Sequence, residues 1–300
     1  MDKIVIITGF TGSGKSGLAV EIAKKYNGEI ISCDSVQVYK GLDIGSAKVT
    51  KDEMQGIPHH LIDIISPFED YSVGQFVKDA KNAIDDIISR GKLPILVGGT
   101  GLYVKALMQG YDFNNTDKNE EFRNEQFSLA EQYGNQYVWD KLNVLDSEKA
   151  KSVHPNNLKR VVRYLEVVTF KKEENTTHSV LSGYSTLCIG VIDERQTIYN
   201  KINNRVDEMI KMGLEDEVKD LLNKGLTLDN NSMNTIGYRE MAEYLTNKID
   251  YSTCIEKIKQ HTRNYCKRQL TFMKTIPNII LATKLEAKQQ IEEFLDDKIK

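Results

Sequence analysis

Residues 3–16, KIVIITGFTGSGKS, place a short β-branched run directly before a glycine-rich loop. The next residues, SGLAVEIAKKY, carry Leu18 and Ala19, then Ile22 and Ala23, at helical spacing. That is a strand, a loop and a helix. The loop matches GxxxxGK(S/T) at Gly9, Gly14, Lys15 and Ser16. In such a loop the glycines let consecutive backbone N–H groups turn inward as an anion nest, and the following helix adds the positive end of its dipole. Gly9, Thr11, Gly12, Ser13, Gly14, Lys15 and Ser16 are the candidate diphosphate-binding residues. Lys15 adds a full charge, and Ser16 offers a hydroxyl to Mg²⁺. A diphosphate leaving group would fit the nest as well as the β/γ pair of ATP, so the loop by itself does not choose between them.

Further buried runs repeat the pattern. EIISCDS (29–35), KLPILVGGTG (92–101) and TLCIGVID (186–193) read as strands, with a late candidate at NIILAT (278–283). Residues 71–91 read as a helix with Phe76, Ala80, Ile84, Ile87 and Ile88 on one face. Strands alternating with helices predict an α/β fold, a P-loop NTPase-like parallel sheet flanked by helices. From Asn114 to Gly183 the chain turns polar and helix-rich, which predicts an inserted all-helical domain; residues 1–113 and 184–300 then form the catalytic core.

Composition narrows the class. Of 300 residues, 40% are hydrophobic and 28% charged, as in globular domains. MDKIVIITG lacks the basic and long apolar regions of a signal peptide, and no apolar run approaches the roughly 20 residues that span a bilayer, so a cytoplasmic protein without membrane contact is expected. Cys33, Cys188, Cys254 and Cys266 form no CxxC pair and read as reduced packing residues. His59 and His60 cannot chelate one ion, because neighbours on an extended segment point to opposite sides.

A nucleotide-hydrolysing site also needs an acid at the end of an apolar strand. Asp34 and Asp193 both qualify; Asp34 is the better active-site candidate, and Asp193 reads as a turn or helix cap. Net charge is −3, yet two windows are strongly basic. Residues 151–172 hold Lys151, Lys159, Arg160, Arg163, Lys171 and Lys172 against Glu166. Residues 254–274 hold Lys257, Lys259, Arg263, Lys267, Arg268 and Lys274 against Glu256. On helices, Lys159, Arg160 and Arg163 would share one face, and Lys259, Arg263 and Lys267 another, the electrostatic footprint of a phosphate backbone.

Beyond the loop, the chain resembles the bacterial tRNA isopentenyltransferase family. DSVQVYKGLDIGSAK (34–48), IPHHLIDI (57–64), GGTGLYVKAL (98–107), HPNNLKRVVRYLEV (154–167) and TRNYCKRQLTF (262–272) are similar to the blocks of that family. Phe10 stands where proline is common, Ser46 and Val49 where threonine and proline are usual, and Phe272 where tryptophan is usual. None of these departures removes a charge or a catalytic oxygen.

The resemblance implies that the loop holds dimethylallyl diphosphate with Mg²⁺, and that the acceptor is N6 of an adenosine beside the anticodon of a tRNA. It implies Asp34 as general base, Lys15 and an arginine on the departing diphosphate, and Thr100 beside the reacting amine. Arg195 is the expected arginine, with Arg205 in reserve. The implied tRNA contacts are Asp34, Ser35, Val36, Gln37, Arg123, Lys159, Arg160, Arg163, Gly237, Tyr238, Arg239, Arg263, Lys267 and Arg268, with the anticodon stem-loop as partner of a monomer. From the loop alone, a small-molecule kinase using ATP and a nucleotide-driven RNA switch stay open, as does transfer to free adenine nucleotides.

Overall fold

The computed structural model describes residues 1–110, 119–170 and 179–297. Six strands, β1 (Lys3–Gly9), β2 (Gly28–Ser32), β3 (His59–His60), β4 (Leu93–Gly98), β5 (Ser185–Val191) and β6 (Ile280–Ala282), form one sheet in the order β3-β2-β4-β1-β5-β6. Every pairing is parallel. β1 lies inside this sheet, and Ile4, Val5, Ile6 and Ile7 are all fully buried, which explains an unbroken apolar run where a half-exposed strand would alternate. Val5 and Ile7 pack under the helices Lys15–Lys25 and Lys284–Leu295, in one core with Leu18, Ile22, Ala287 and Ile291. Side chains alternate along a strand, so Ile4 and Ile6 face the opposite side.

The helix predicted over 71–91 spans Val73–Ser89, opened by a Ser72/Gln75 capping box, with Phe76, Ala80, Ile84 and Ile87 buried. The strand predicted over 29–35 ends at Ser32, and the backbone then leaves the ladder. Asp34 therefore sits on a loop. Cys33 N–H still donates to the Val97 carbonyl at 2.7 Å, and the Cys33 carbonyl accepts from Thr100 N–H at 3.2 Å, which holds the ends of β2 and β4 side by side. His59 Nδ1 bonds the Ile57 carbonyl at 2.8 Å while His60 Nε2 meets Glu29 at 2.7 Å, so the two rings serve different neighbours. Among the described residues no His, Cys, Asp and Glu cluster could hold a metal by itself.

A second core joins the helices Arg195–Lys211, Leu214–Asn223, Tyr238–Leu245 and Tyr251–Met273 to residues 38–42 through Val206, Leu214, Val218, Tyr238, Met241 and Ile258. By contacts the chain divides into two compact units, Met1–Gly110 with His178–Lys300, and Tyr111–Thr177. The expected boundary at 113/114 lies outside the described residues. In the second unit the helices Glu120–Tyr133, Asn135–Leu145 and Leu158–Thr169 enclose Ala130, Val138, Leu142, Val161 and Leu165. Among the described residues no helix is long and apolar enough to cross a membrane.

Candidate active site

Gly12 and Gly14 adopt φ of +85° and +80°, a region that glycine enters without cost, and this turns the loop so that Lys15 opens the helix. No side chain caps that helix, which leaves its first N–H groups to a ligand. Ser13 Oγ is buried with no hydrogen-bond partner among the described residues. Lys15 Nζ donates to the Phe10 carbonyl at 3.3 Å. Burial lowers its pKa to about 8 against the opposing pull of Asp34. An unsatisfied hydroxyl, an uncapped helix and a desolvated ammonium all seek an anion.

Two cavities open off this loop. The first, about 610 Å³, is lined by Gly12, Gly14, Lys15 and Ser16, and by Asp43, Ile44 and residues 46–50. The second, about 560 Å³, is lined by Ser35, Val36, Gly237, Arg239, His261, Tyr265 and Arg268. Asp34 and Arg205 belong to the walls of both, with Thr11, Ser46 and Met209. Asp34 Oδ1 accepts the N–H groups of Val36 at 2.9 Å and Gln37 at 3.3 Å, while Oδ2 accepts none among the described residues. One oxygen is thus fixed and the other free to take a proton.

Thr100 precedes the helix Gly101–Gln109 but gives it no side-chain cap. Its Oγ1 accepts from Ser35 N–H at 3.1 Å and lies 3.3 Å from Ser35 Oγ. Tyr265 lies beside Thr100 and Gln269; burial and the nearby Asp34 charge push its phenol up to about 12, so it remains protonated. Gln269 accepts from Thr11 N–H at 3.3 Å and donates to the Gly99 carbonyl at 2.8 Å, joining the phosphate loop to the turn before Thr100. The GGTG block permits these approaches. A Cβ on Gly98 would lie 2.1 Å from the Cys33 carbonyl oxygen, and one on Gly99 would lie 2.5 Å from Gln269 Nε2. Tyr265 and Gln269 were in a recognised block but had no role; their four-residue spacing on one helix face was the available signal.

Several expected site residues lie elsewhere. Arg195 is exposed at the start of its helix, its Nε on Tyr199 Oη at 3.1 Å, and it lines neither cavity. Arg205, nearly three turns on, reaches the site instead; its Nε is buried without a partner among the described residues, and burial lowers its pKa against the charge of Asp34. Tyr238 is fully buried beneath Gly45 and lines neither cavity, so it supports the wall. Gly237 and Arg239 do line the second cavity, Arg239 steered by Glu240 at 2.7 Å. Gln37 lines the first.

The face of Lys259, Arg263 and Lys267 is a seam with the antiparallel helix Arg195–Lys211. Lys259 pairs with Asp207 at 2.7 Å, Arg263 donates to Asn203 at 2.7 Å, and Lys267 lies 6.0 Å over the Tyr199 ring. Lys267 and Arg268 are still exposed. In the second unit, Arg123 and Arg163 both pair with the fully buried Glu166, at 2.6 and 2.5 Å. Lys159 and Arg160 are exposed there. Lys171 and Lys172 lie outside the described residues. Asp193 is held by Lys201 at 2.7 Å away from both cavities, as a turn residue would be.

A parallel sheet, a phosphate loop at the end of β1 and a second cavity meeting it at an acid define a protein that brings a phosphorylated donor against an acceptor. The sequence model of IPP transferase matches residues 37–276, and the chain belongs to that family. Similar proteins include tRNA dimethylallyltransferase of Thermoanaerobacter sp. (strain X514), 48% identical over 91% of this chain and 89% of that one. The tRNA dimethylallyltransferase of Caldanaerobacter subterraneus subsp. tengcongensis is 45% identical over 99% of both. Among solved structures, the tRNA isopentenylpyrophosphate transferase of Bacillus halodurans matches 99% of this chain and 97% of its own at 40% identity, TM-score 0.74. A eukaryotic dimethylallyltransferase acting on tRNA matches 99% of this chain and 80% of its own at 31% identity, TM-score 0.81.

Proposed function

We propose that this chain transfers the dimethylallyl group of dimethylallyl diphosphate to N6 of the adenosine 3′-adjacent to the anticodon in tRNAs, releasing diphosphate. The observation that carries the reading is the meeting of two cavities at Asp34, with the phosphate loop in one and Arg239, Tyr265 and Arg268 in the other.

The donor's diphosphate lies in the nest, against Lys15 and Arg205. The N6 lone pair attacks the allylic carbon, the carbon–oxygen bond breaks with its electrons going to diphosphate, and the N6 proton passes to Asp34 Oδ2. General-base help of this kind is typically worth about 10²- to 10⁴-fold. Thr100 and Tyr265 set the amine's position from the far side of the loop. Lys15 and Arg205 meet the charge that grows on the leaving oxygen, which in a dry site is the larger effect.

Ser16 lines the first cavity with its hydroxyl unengaged among the described residues, and no protein cluster there could complete a coordination sphere. Those residues fit a Mg²⁺ carried in by the diphosphate, since Mg²⁺ commonly takes one or two protein oxygens and shares substrate phosphates. Ser16 would hold it, and the ion supplies charge to the departing diphosphate.

The stacked adenosine must leave its loop to reach Asp34, at a cost of a few kcal/mol. Lys267 and Arg268 in the core unit, and Lys159 and Arg160 in the inserted one, are the exposed cations from which backbone contacts can supply it. The test is incubation with Mg²⁺, dimethylallyl diphosphate and unmodified anticodon stem-loop RNA, followed by RNA mass, with ATP in parallel. A gain of one dimethylallyl group on a loop adenosine, indifferent to ATP, is expected. No gain with phosphate transferred from ATP would overturn the reading.

A further inference from the structure

We infer that Glu217, behind the wall of the two cavities, is a positioning residue for Asp34, acting through the loop 43–47 and Gln37; this rests on Asp34 being the base. Glu217 lies on the helix Leu214–Asn223 and lines neither cavity, so it touches no substrate. Its Oε2 accepts the N–H groups of Asp43 at 3.0 Å and Ile44 at 2.8 Å. Its Oε1 accepts Gly45 N–H at 3.1 Å and the Tyr238 hydroxyl at 2.7 Å. Tyr238 Oη in turn accepts Ser46 N–H at 3.2 Å. Four consecutive backbone amides are thus gathered on one carboxylate and the phenol it orients.

The gathering has a purpose in the geometry that follows. Ala47 sits at φ +47°, a left-handed conformation costly for alanine, which persists where neighbours over-determine it. The Ala47 carbonyl accepts from Gln37 Nε2 at 3.2 Å, and Gln37 N–H is one of the two donors on Asp34 Oδ1. Glu217 therefore fixes the loop, the loop fixes Gln37, and Gln37 fixes the carboxylate that receives the proton. Gly45 is required as well, because a Cβ there would lie 2.5 Å from the Tyr238 ring. A carboxylate matches this nest of donors, whereas an amide would present N–H to N–H.

The test is steady-state transfer with Glu217→Gln, Tyr238→Phe, Gln37→Ala and the Glu217→Gln/Gln37→Ala pair, each with kcat and the KM for RNA measured separately. Small misplacements of a reacting group cost one to two powers of ten, so Glu217→Gln should lower kcat about tenfold or more. Its KM for RNA should change little, since Glu217 lines neither cavity. The other groups facing Asp34, namely Lys15, Arg205, Tyr103, Tyr265 and Cys33, lie outside this chain of contacts and keep their places. The double variant should fall little below the worse single one, as expected of residues in one path. Tyr238→Phe removes one hydroxyl and should give a smaller loss in the same direction; it carries the test if Glu217→Gln does not fold. Wild-type kcat in these variants with only the melting temperature lowered, or a loss carried by KM alone, would overturn the inference. Full activity in Asp34→Ala would instead remove the base assignment on which it stands.

Discussion

Replacing Arg205 by methionine should slow transfer by two to three orders of magnitude and leave the fold at least as stable as before. In the free protein Arg205 Nε is a buried donor without a partner, and burial already depresses the guanidinium pKa. An unmet buried donor costs roughly 1–3 kcal/mol, more when charged. Diphosphate would supply the missing acceptor, and a donor aimed at developing negative charge is worth about 2.7–4 kcal/mol, or 10²- to 10³-fold in kcat. Methionine keeps the length and packs with Ile202, Val206 and Met209, which line the same cavity wall. The loss of a cation beside Asp34 offsets part of the gain, so the melting temperature should equal or exceed that of the parent. Arg195→Met is the control; on an exposed first turn it should change stability by no more than about 0.5 kcal/mol and leave kcat alone. Parallel transfer assays and thermal unfolding decide the matter. A wild-type kcat in Arg205→Met, or a collapse in Arg195→Met, would refute the reasoning.

Other tests follow from the same geometry. Lys15 has a pKa near 8 in the free protein, lowered from its unfolded value, so it loses its charge as pH rises through 8. Affinity for inorganic diphosphate, measured calorimetrically from pH 7 to 9.5, should be full below 8 and fall up to about tenfold per unit above it; a flat profile would show that Lys15 does not contact the anion. Glu166→Gln removes the charge shared by Arg123 and Arg163 and should destabilise the inserted unit by roughly 2–3 kcal/mol in denaturant unfolding. Gly98→Ala should abolish folding or cost roughly 3 kcal/mol or more, because its Cβ meets backbone rather than a side chain that could move; a stable variant would contradict the β2–β4 contact. Lys267→Ala should reduce the salt slope of RNA binding by about one. Lys259→Ala should leave that slope unchanged, since Asp207 already neutralises it.

How much was legible in the sequence can be judged residue by residue. The phosphate loop, the strands and the helix over residues 71–91 announce themselves locally, through β-branched runs, helical spacing and capping residues. Lys15, Ser16 and Asp34 followed from their places at strand and helix ends. Arg205 against Arg195 did not, because both occupy one helix and neither has a local mark of burial. The resemblance implies Tyr238 and Arg239 alike as tRNA contacts, yet the ring of Tyr238 is buried and Arg239 lines a cavity. The four-residue spacing of Lys259, Arg263 and Lys267 was read correctly as one face, but its occupant, the helix Arg195–Lys211, lies about 60 residues away in sequence.

Sequence by itself determined where a phosphate group can bind and which acid stands near it, since a nest of N–H groups and an acid just past a strand end are built from neighbouring residues whose backbone geometry is local. Tertiary structure decided which cations are exposed, which arginine is desolvated, and that Glu217 holds the wall beside Asp34. Those are properties of the electric field and solvent access at a point, and both are set by side chains brought together from distant parts of the chain.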